Sequence, residues 1–119
     1  MFVLKKLSVA KRDGNKIHAL IRACASSSDG KCSGIYAPTI SGQAECLART
    51  YEKAGIDPKT VTLMEGHGTG TAVGDKIELT AMMQNFKGAK KEQIAVGSIK
   101  SQIGHLKAVA GCALSLIHI

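Results

Sequence analysis

The stretch EGHGTGTAVGDK, Glu65 to Lys76, sets four glycines around one histidine. Glycine-rich loops that join a strand to a helix often cradle phosphates, and two such patterns can be tested by counting. A Walker loop requires Gly-Lys-Ser/Thr, but Gly74 is followed by Asp75. A dinucleotide-binding turn would need a third glycine at position 71, which is Thr71. Neither pattern fits, so the loop serves another chemistry.

The flanking sequence places this loop in an α/β frame. TVTLME (Thr60 to Glu65) reads as a brief strand, and Asp75 with Glu78 three residues later resembles a capping box opening a helix through Phe86. QIAVGS is a second apolar strand, IKSQIGH a second polar turn containing glycine, and LKAVAGCAL a helix of small residues. Two successive strand, loop, helix units predict an α/β architecture whose loops emerge at one sheet edge, where ligands bind. Upstream, Ala44, Leu47, Ala48 and Tyr51 recur at helical spacing, with Gly55 as the stop. FVLKKL and KIHALIRAC flank the turn signal RDGN (Arg12 to Asn15) and predict a hairpin. SSSDGKCSGIYAPT reads as a loop.

Composition narrows the function classes. The chain has 119 residues, 45% of them hydrophobic, which fits a single globular unit. It contains no apolar run near the roughly 20 residues of a membrane span and no signal-peptide pattern, so a cytoplasmic location is expected. The cysteines at 24, 32, 46 and 112 lack the close spacing of a zinc site, and reduced thiols and no metal are expected. The net charge is +7, but the lysines and arginines are scattered and only two Tyr and two Phe are available for base stacking. That argues for a solvated basic surface and against nucleic-acid binding.

Each of the two loops carries one histidine, His67 and His105, and the second also carries Lys100. Glycine neighbours leave the His67 ring free to approach a substrate carbonyl, and nearby threonine hydroxyls can bind amides. The order of EGHGTGTAVGDKIE and VGSIKSQIGHLKAVAG resembles the pair of signature loops of β-ketoacyl synthase domains in polyketide and fatty-acid synthases. SSSDGK, APT and Gln43 resemble the segment before the first loop, in the style of synthases making polyunsaturated fatty acids or enediynes. Gly66, Lys76 and the Leu106-Lys107 pair depart from the family's commoner residues; Lys76 is compatible with the first helical position, where proline is frequent.

The resemblance implies a fragment of a thiolase-like fold, layered from mixed sheets and helices, spanning the junction of its two halves over residues 1–113. It implies decarboxylative Claisen condensation of an acyl thioester with a malonyl-carrier protein. His67 and His105 are then the imidazoles facing the malonyl thioester carbonyl, Lys100 supports the second histidine, and Thr69 and Thr71 bind the phosphopantetheine arm of acyl carrier protein. No cofactor is bound by the chain itself, the partner is acyl carrier protein, and the whole domain is a homodimer. The nucleophilic cysteine of such an enzyme is expected upstream of this segment, with Cys24, Cys32, Cys46 and Cys112 as bystanders, so the fragment alone is expected to be inactive. The other reading of these loops is a non-catalytic module that grips phosphopantetheine. Residues 114–119, LSLIHI, break from the helix pattern and read as a non-native tail, with His118 no ligand.

Overall fold

The computed structural model describes residues 2–31, 34 and 37–118. Cys32 lies outside the described residues, as does part of the expected loop around it. The first element is not the expected hairpin. Residues Leu7–Arg12 form a helix, α1, and the Asp-Gly turn is its stop. Gly14 adopts φ +65°, and the amides of Asp13, Gly14 and Asn15 bond back to Val9, Lys11 and Ala10. Lys5 Nζ clamps this stop by donating to Asp13 Oδ2 at 2.7 Å and Asn15 Oδ1 at 2.5 Å. The physical reason is local satisfaction: a helix bonds its own backbone groups, whereas a hairpin needs a partner strand. Among the described residues no strand pairs with positions 16–24, and Leu20 and Ile21 are 49% and 74% exposed.

Helix α2 spans Ile40–Ala54 and ends at Gly55, as the periodicity predicts. Thr39 caps its start, its Oγ1 accepting from Gly42 N at 3.1 Å, while Asp29 Oδ1 accepts from both the amide and the hydroxyl of Thr39. A Cβ on Gly42 would stand 2.5 Å from Asp29 Oδ1, so this capped corner requires glycine. Gly55 takes φ +61°, and Gly55 N and Ile56 N bond back to Glu52 and Tyr51, a left-handed stop that glycine adopts without side-chain strain. The half-buried face of α2 packs on a later helix, α3 (Ala72–Asn85). Tyr51 meets Phe86 edge to face at 5.8 Å, and Asn85 Nδ2 donates to Ala44 O at 3.0 Å.

Between these helices, strand β1 (Leu63–Glu65) runs parallel to β2 (Ala95–Gly97), with Leu63 opposite Ala95, Met64 opposite Val96 and Glu65 opposite Gly97. Helix α3 is the crossover of this βαβ unit, so the loops leaving both strands sit at the same edge. The start of α3 differs from the sequence reading. Thr71, not Asp75, is the cap, its Oγ1 accepting from Gly74 N at 3.2 Å. Thr71 has the extended backbone of a cap and sits three residues before a free helical amide, whereas Asp75 already lies inside the helix. Asp75 falls in the first turn, where Oδ1 accepts from Gly70 N, and Lys76 lies inside the helix; the first helical position is held by Ala72, whereas the sequence reading places Lys76 there.

After β2 the chain makes one helical turn, α4 (Lys100–Ile103), then Gly104 and a short 3₁₀ turn at Lys107–Val109. Helix α5 covers Ala110–Leu116, so the helix continues through Leu114 to Leu116, where the sequence pattern predicted a break. Among the described residues no helix is long and apolar enough to cross a membrane.

Candidate active site

Both histidines stand on loops leaving the carboxyl ends of the parallel strands. The first loop is held from below: Gly66 is buried, and its amide extends the ladder to Gly97 O at 2.8 Å. Glu78, a turn inside α3, then reaches back, its Oε1 accepting from His67 N at 2.6 Å and its Oε2 from Gly68 N at 2.9 Å. A carboxylate that accepts two amides forms charge-assisted bonds stronger than neutral ones. The His67 backbone is thereby fixed while the residue stays exposed. Gly68 has φ +48°, and a Cβ there would lie 2.5 Å from Ser98 Cβ, so the two loops touch through a position only glycine fits.

The rings of His67 and His105 meet with centroids 5.3 Å apart and planes at 87°. The tautomer of His105 follows from its bond: Nδ1 accepts the Lys107 amide at 2.9 Å, so the neutral ring carries its proton on Nε2. Lys107 reaches that position with φ +52°, a left-handed conformation uncommon for lysine, which aims its amide back at the ring. Desolvation holds His105 below the ordinary histidine range, and the nearby charges of Lys100, His67 and Lys107 push in the same direction. The ring is therefore an uncharged N–H donor at neutral pH.

Lys100 opens α4 and is buried, and its Nζ has no hydrogen-bond partner among the described residues. Thr69 and Thr71 share a hydroxyl contact of 3.1 Å on the exposed face of the glycine loop. Thr71 is also the helix cap, so Thr69 keeps the more available hydroxyl.

Sequence reasoning gave neither Glu65 nor Glu78 a place in the site. Glu78 holds the loop across eleven positions, a reach that no local spacing rule encodes; its place in the first helical turns was the only signal. Glu65 Oε1 accepts Ile99 N at 2.5 Å and so joins the end of β1 to the start of the second loop. His118, expected to be uninvolved, places Nε2 3.8 Å from Glu65 Oε2. Cys24 is exposed beside Lys53, which donates to its carbonyl; Cys46 Sγ lies 3.5 Å from Ala25 O on α2, and Cys112 is exposed on α5. Among the described residues no group of three metal-ligating side chains occurs.

These loops have known counterparts. Residues 18–119 match the beta-ketoacyl synthase C-terminal domain. Over 117 residues the chain is 65% identical to a polyunsaturated fatty acid synthase component of Thraustochytrium sp., covering 95% of this chain and 4% of that protein. It is 47% identical to a highly reducing polyketide synthase of Pyricularia oryzae, covering 93% of the chain and 4% of that protein. The ketosynthase from module 6 of the bacillaene synthase of Bacillus subtilis 168 superposes with a TM-score of 0.89 at 41% identity, over 93% of this chain and 20% of that one. The module 1 ketosynthase of the Bacillus amyloliquefaciens bacillaene synthase gives a TM-score of 0.84 at 38% identity, over 92% and 21%. The βαβ unit with its two histidine loops is thus part of a thiolase-like ketosynthase fold, and the chain spans a small share of each relative. By the extent of the family match, the chain belongs to the β-ketoacyl synthases, a family of acyltransferases.

Proposed function

We propose that this segment supplies the decarboxylation and enolate-binding half of a ketosynthase acting on malonyl thioester carried by acyl carrier protein. The observation that carries this reading is the pair of imidazoles, 5.3 Å apart on two loops, with the His105 proton fixed on Nε2. Two N–H donors converging on one oxygen at roughly 2.7–3.1 Å each would span such a separation. Loss of carbon dioxide breaks the bond between the malonyl carboxylate and the α-carbon, and the electron pair delocalises onto the thioester oxygen. The two donors stabilise that oxyanion. The enolate carbon then attacks the acyl thioester held on cysteine, and the thiolate leaves as the new carbon–carbon bond forms.

The cysteine belongs to a part of the protein outside this chain. In support, Cys24 is exposed in the segment before α2, Cys46 is on α2 with its thiol directed at Ala25 O, Cys112 is exposed on α5, and among the described residues no hydrogen bond joins any of the three to either histidine. Lys100 adds its charge to the desolvation that favours neutral His105, and Thr69 with Thr71 receives the amides of the phosphopantetheine arm. The chain on its own is inactive in condensation, and the working domain is a homodimer. The 65% identity to the polyunsaturated fatty acid synthase, against 47% to the polyketide synthase, supports a polyunsaturated fatty-acid pathway.

The test is made in the intact ketosynthase domain. His67→Ala and His105→Ala should each lower malonyl decarboxylation by about 10² to 10³ fold, the usual cost of one oxyanion donor. Acyl transfer onto the cysteine uses another oxyanion and should change far less. Unchanged decarboxylation in both variants would exclude this assignment and leave phosphopantetheine binding without chemistry.

A further inference from the structure

We infer that Glu65 is a positioning residue that locks the second histidine loop in register with the first, through the bond from Ile99 N to its carboxylate. This rests on the reading of His67 and His105 as the enolate-binding pair. Glu65 ends β1, two residues before His67, and Ile99 immediately precedes Lys100 and the turn that leads to His105. One side chain thus ties the root of one histidine loop to the root of the other.

The geometry allows this for a specific reason. In the parallel register Glu65 faces Gly97, and the absence of a side chain there leaves the neighbouring strand uncovered. The carboxylate passes over that gap and meets Ile99 N at 2.5 Å. A Cβ at Gly97 would already be in ordinary contact with Glu65 Oε2, at 3.8 Å, so anything bulkier stands in the carboxylate's path. The Glu65 side chain is 11% exposed, which makes its bond to an amide costly to lose. Ile99 N–H is one of the free donors at a helix start, and no helical carbonyl precedes it. Ser98, beside Ile99, also touches the first loop, its Oγ lying 3.4 Å from His67 O, but that contact is long and leaves the carboxylate as the strong link.

The experiment uses the intact ketosynthase domain and four variants: Glu65→Ala, Glu65→Gln, Gly97→Val and, as the reference for the site itself, His67→Ala. Decarboxylation of malonyl thioester, acylation of the cysteine, and hydrogen exchange of the amides at positions 98–103 are measured for each. Glu65→Ala removes the acceptor, and Gly97→Val blocks its path while keeping a residue that strands favour. Both should lower decarboxylation about 10 to 100 fold, the scale of an ångström-level misplacement, with acylation held within about threefold. Both should also speed exchange at 98–103. Glu65→Gln retains a carbonyl acceptor and should recover decarboxylation.

Equal losses in decarboxylation and acylation would overturn the inference, as would unchanged exchange in Glu65→Ala or failure of Glu65→Gln to recover activity. Should Glu65→Ala not fold, Gly97→Val and Glu65→Gln decide the matter alone. If His67→Ala itself decarboxylates normally, the enolate-binding reading fails and this inference falls with it. If His67→Ala is impaired and the Glu65 and Gly97 variants are not, only the locking role fails.

Discussion

At the scale of single residues, the protonation of His105 sets how the site responds to pH. Its Nδ1 accepts the Lys107 amide, and protonating that nitrogen would set two donors against each other and turn the ring. Desolvation, followed by the Lys100 charge, already holds the group below the ordinary histidine range. The neutral form is therefore present above the usual value and is lost only as pH falls through the depressed one. Decarboxylation by the intact domain should keep its plateau below about pH 6.5, the ordinary histidine value. A pH–rate profile with its acid limb above that value would contradict the tautomer argument. Lys100→Ala removes the second of these two causes, so the acid limb should shift upward. Because Lys100 acts through His105, the double variant with His105→Ala should cost much less than the sum of the two single changes, which a double-mutant cycle measures.

Among the elements, capping decides more than apolar pattern. The loop from Gly66 to Thr71 joins a three-residue strand to a fourteen-residue helix, and Thr71 satisfies the helix start with its own hydroxyl. Replacing it with alanine should destabilise the intact domain by about 1 kcal/mol, the usual cost of a lost cap, and Thr71→Ser should restore most of that in thermal melts. Gly68→Ala should be worse. It must adopt φ +48° and drive a Cβ to within 2.5 Å of Ser98 Cβ, so the loops would have to part and decarboxylation should fall together with stability. The strands at Leu63 and Ala95, the stop at Gly55 and the histidine loops were legible in the sequence because each rests on signals a few residues apart. The helix α1 and its stop at Arg12–Asn15 were not, because an Asp-Gly turn closes a helix as readily as a hairpin and only a partner strand distinguishes them. Glu65 and Glu78 escaped for the same reason: their partners lie 34 and about ten positions away, and side-chain reach across a fold leaves no periodic trace.

For the molecule as a whole, the balance of buried and exposed surface determines how the chain behaves by itself. Its accessible surface is 8922 Å², whereas a compact monomer of its mass would expose about 6,200 Å². Its radius of gyration is 15.9 Å, against about 13.5 Å for a compact domain of this length. The buried apolar residues among those described are Ala10, Ala81, Met82 and Ala110, and none of the large side chains is fully buried. Val3, Ile21, Val73 and Met83 are instead 84%, 74%, 68% and 72% exposed. From apolar burial of this limited extent we expect too little free energy to offset the ordering of the backbone. In the solved ketosynthases about four fifths of the chain lies beyond the matched part, and we expect that remainder to cover these faces. The 119-residue polypeptide made alone should accordingly elute as an expanded or associated species, bind a hydrophobic dye, and melt without a sharp transition. It should also fail to condense acyl and malonyl thioesters, since on the proposed function the nucleophilic cysteine is not one of those in this chain. A cooperative thermal melt by circular dichroism, together with a compact monomer by size exclusion, would show that α2 packed on the βαβ unit is a sufficient core and that the missing surface is not needed for folding.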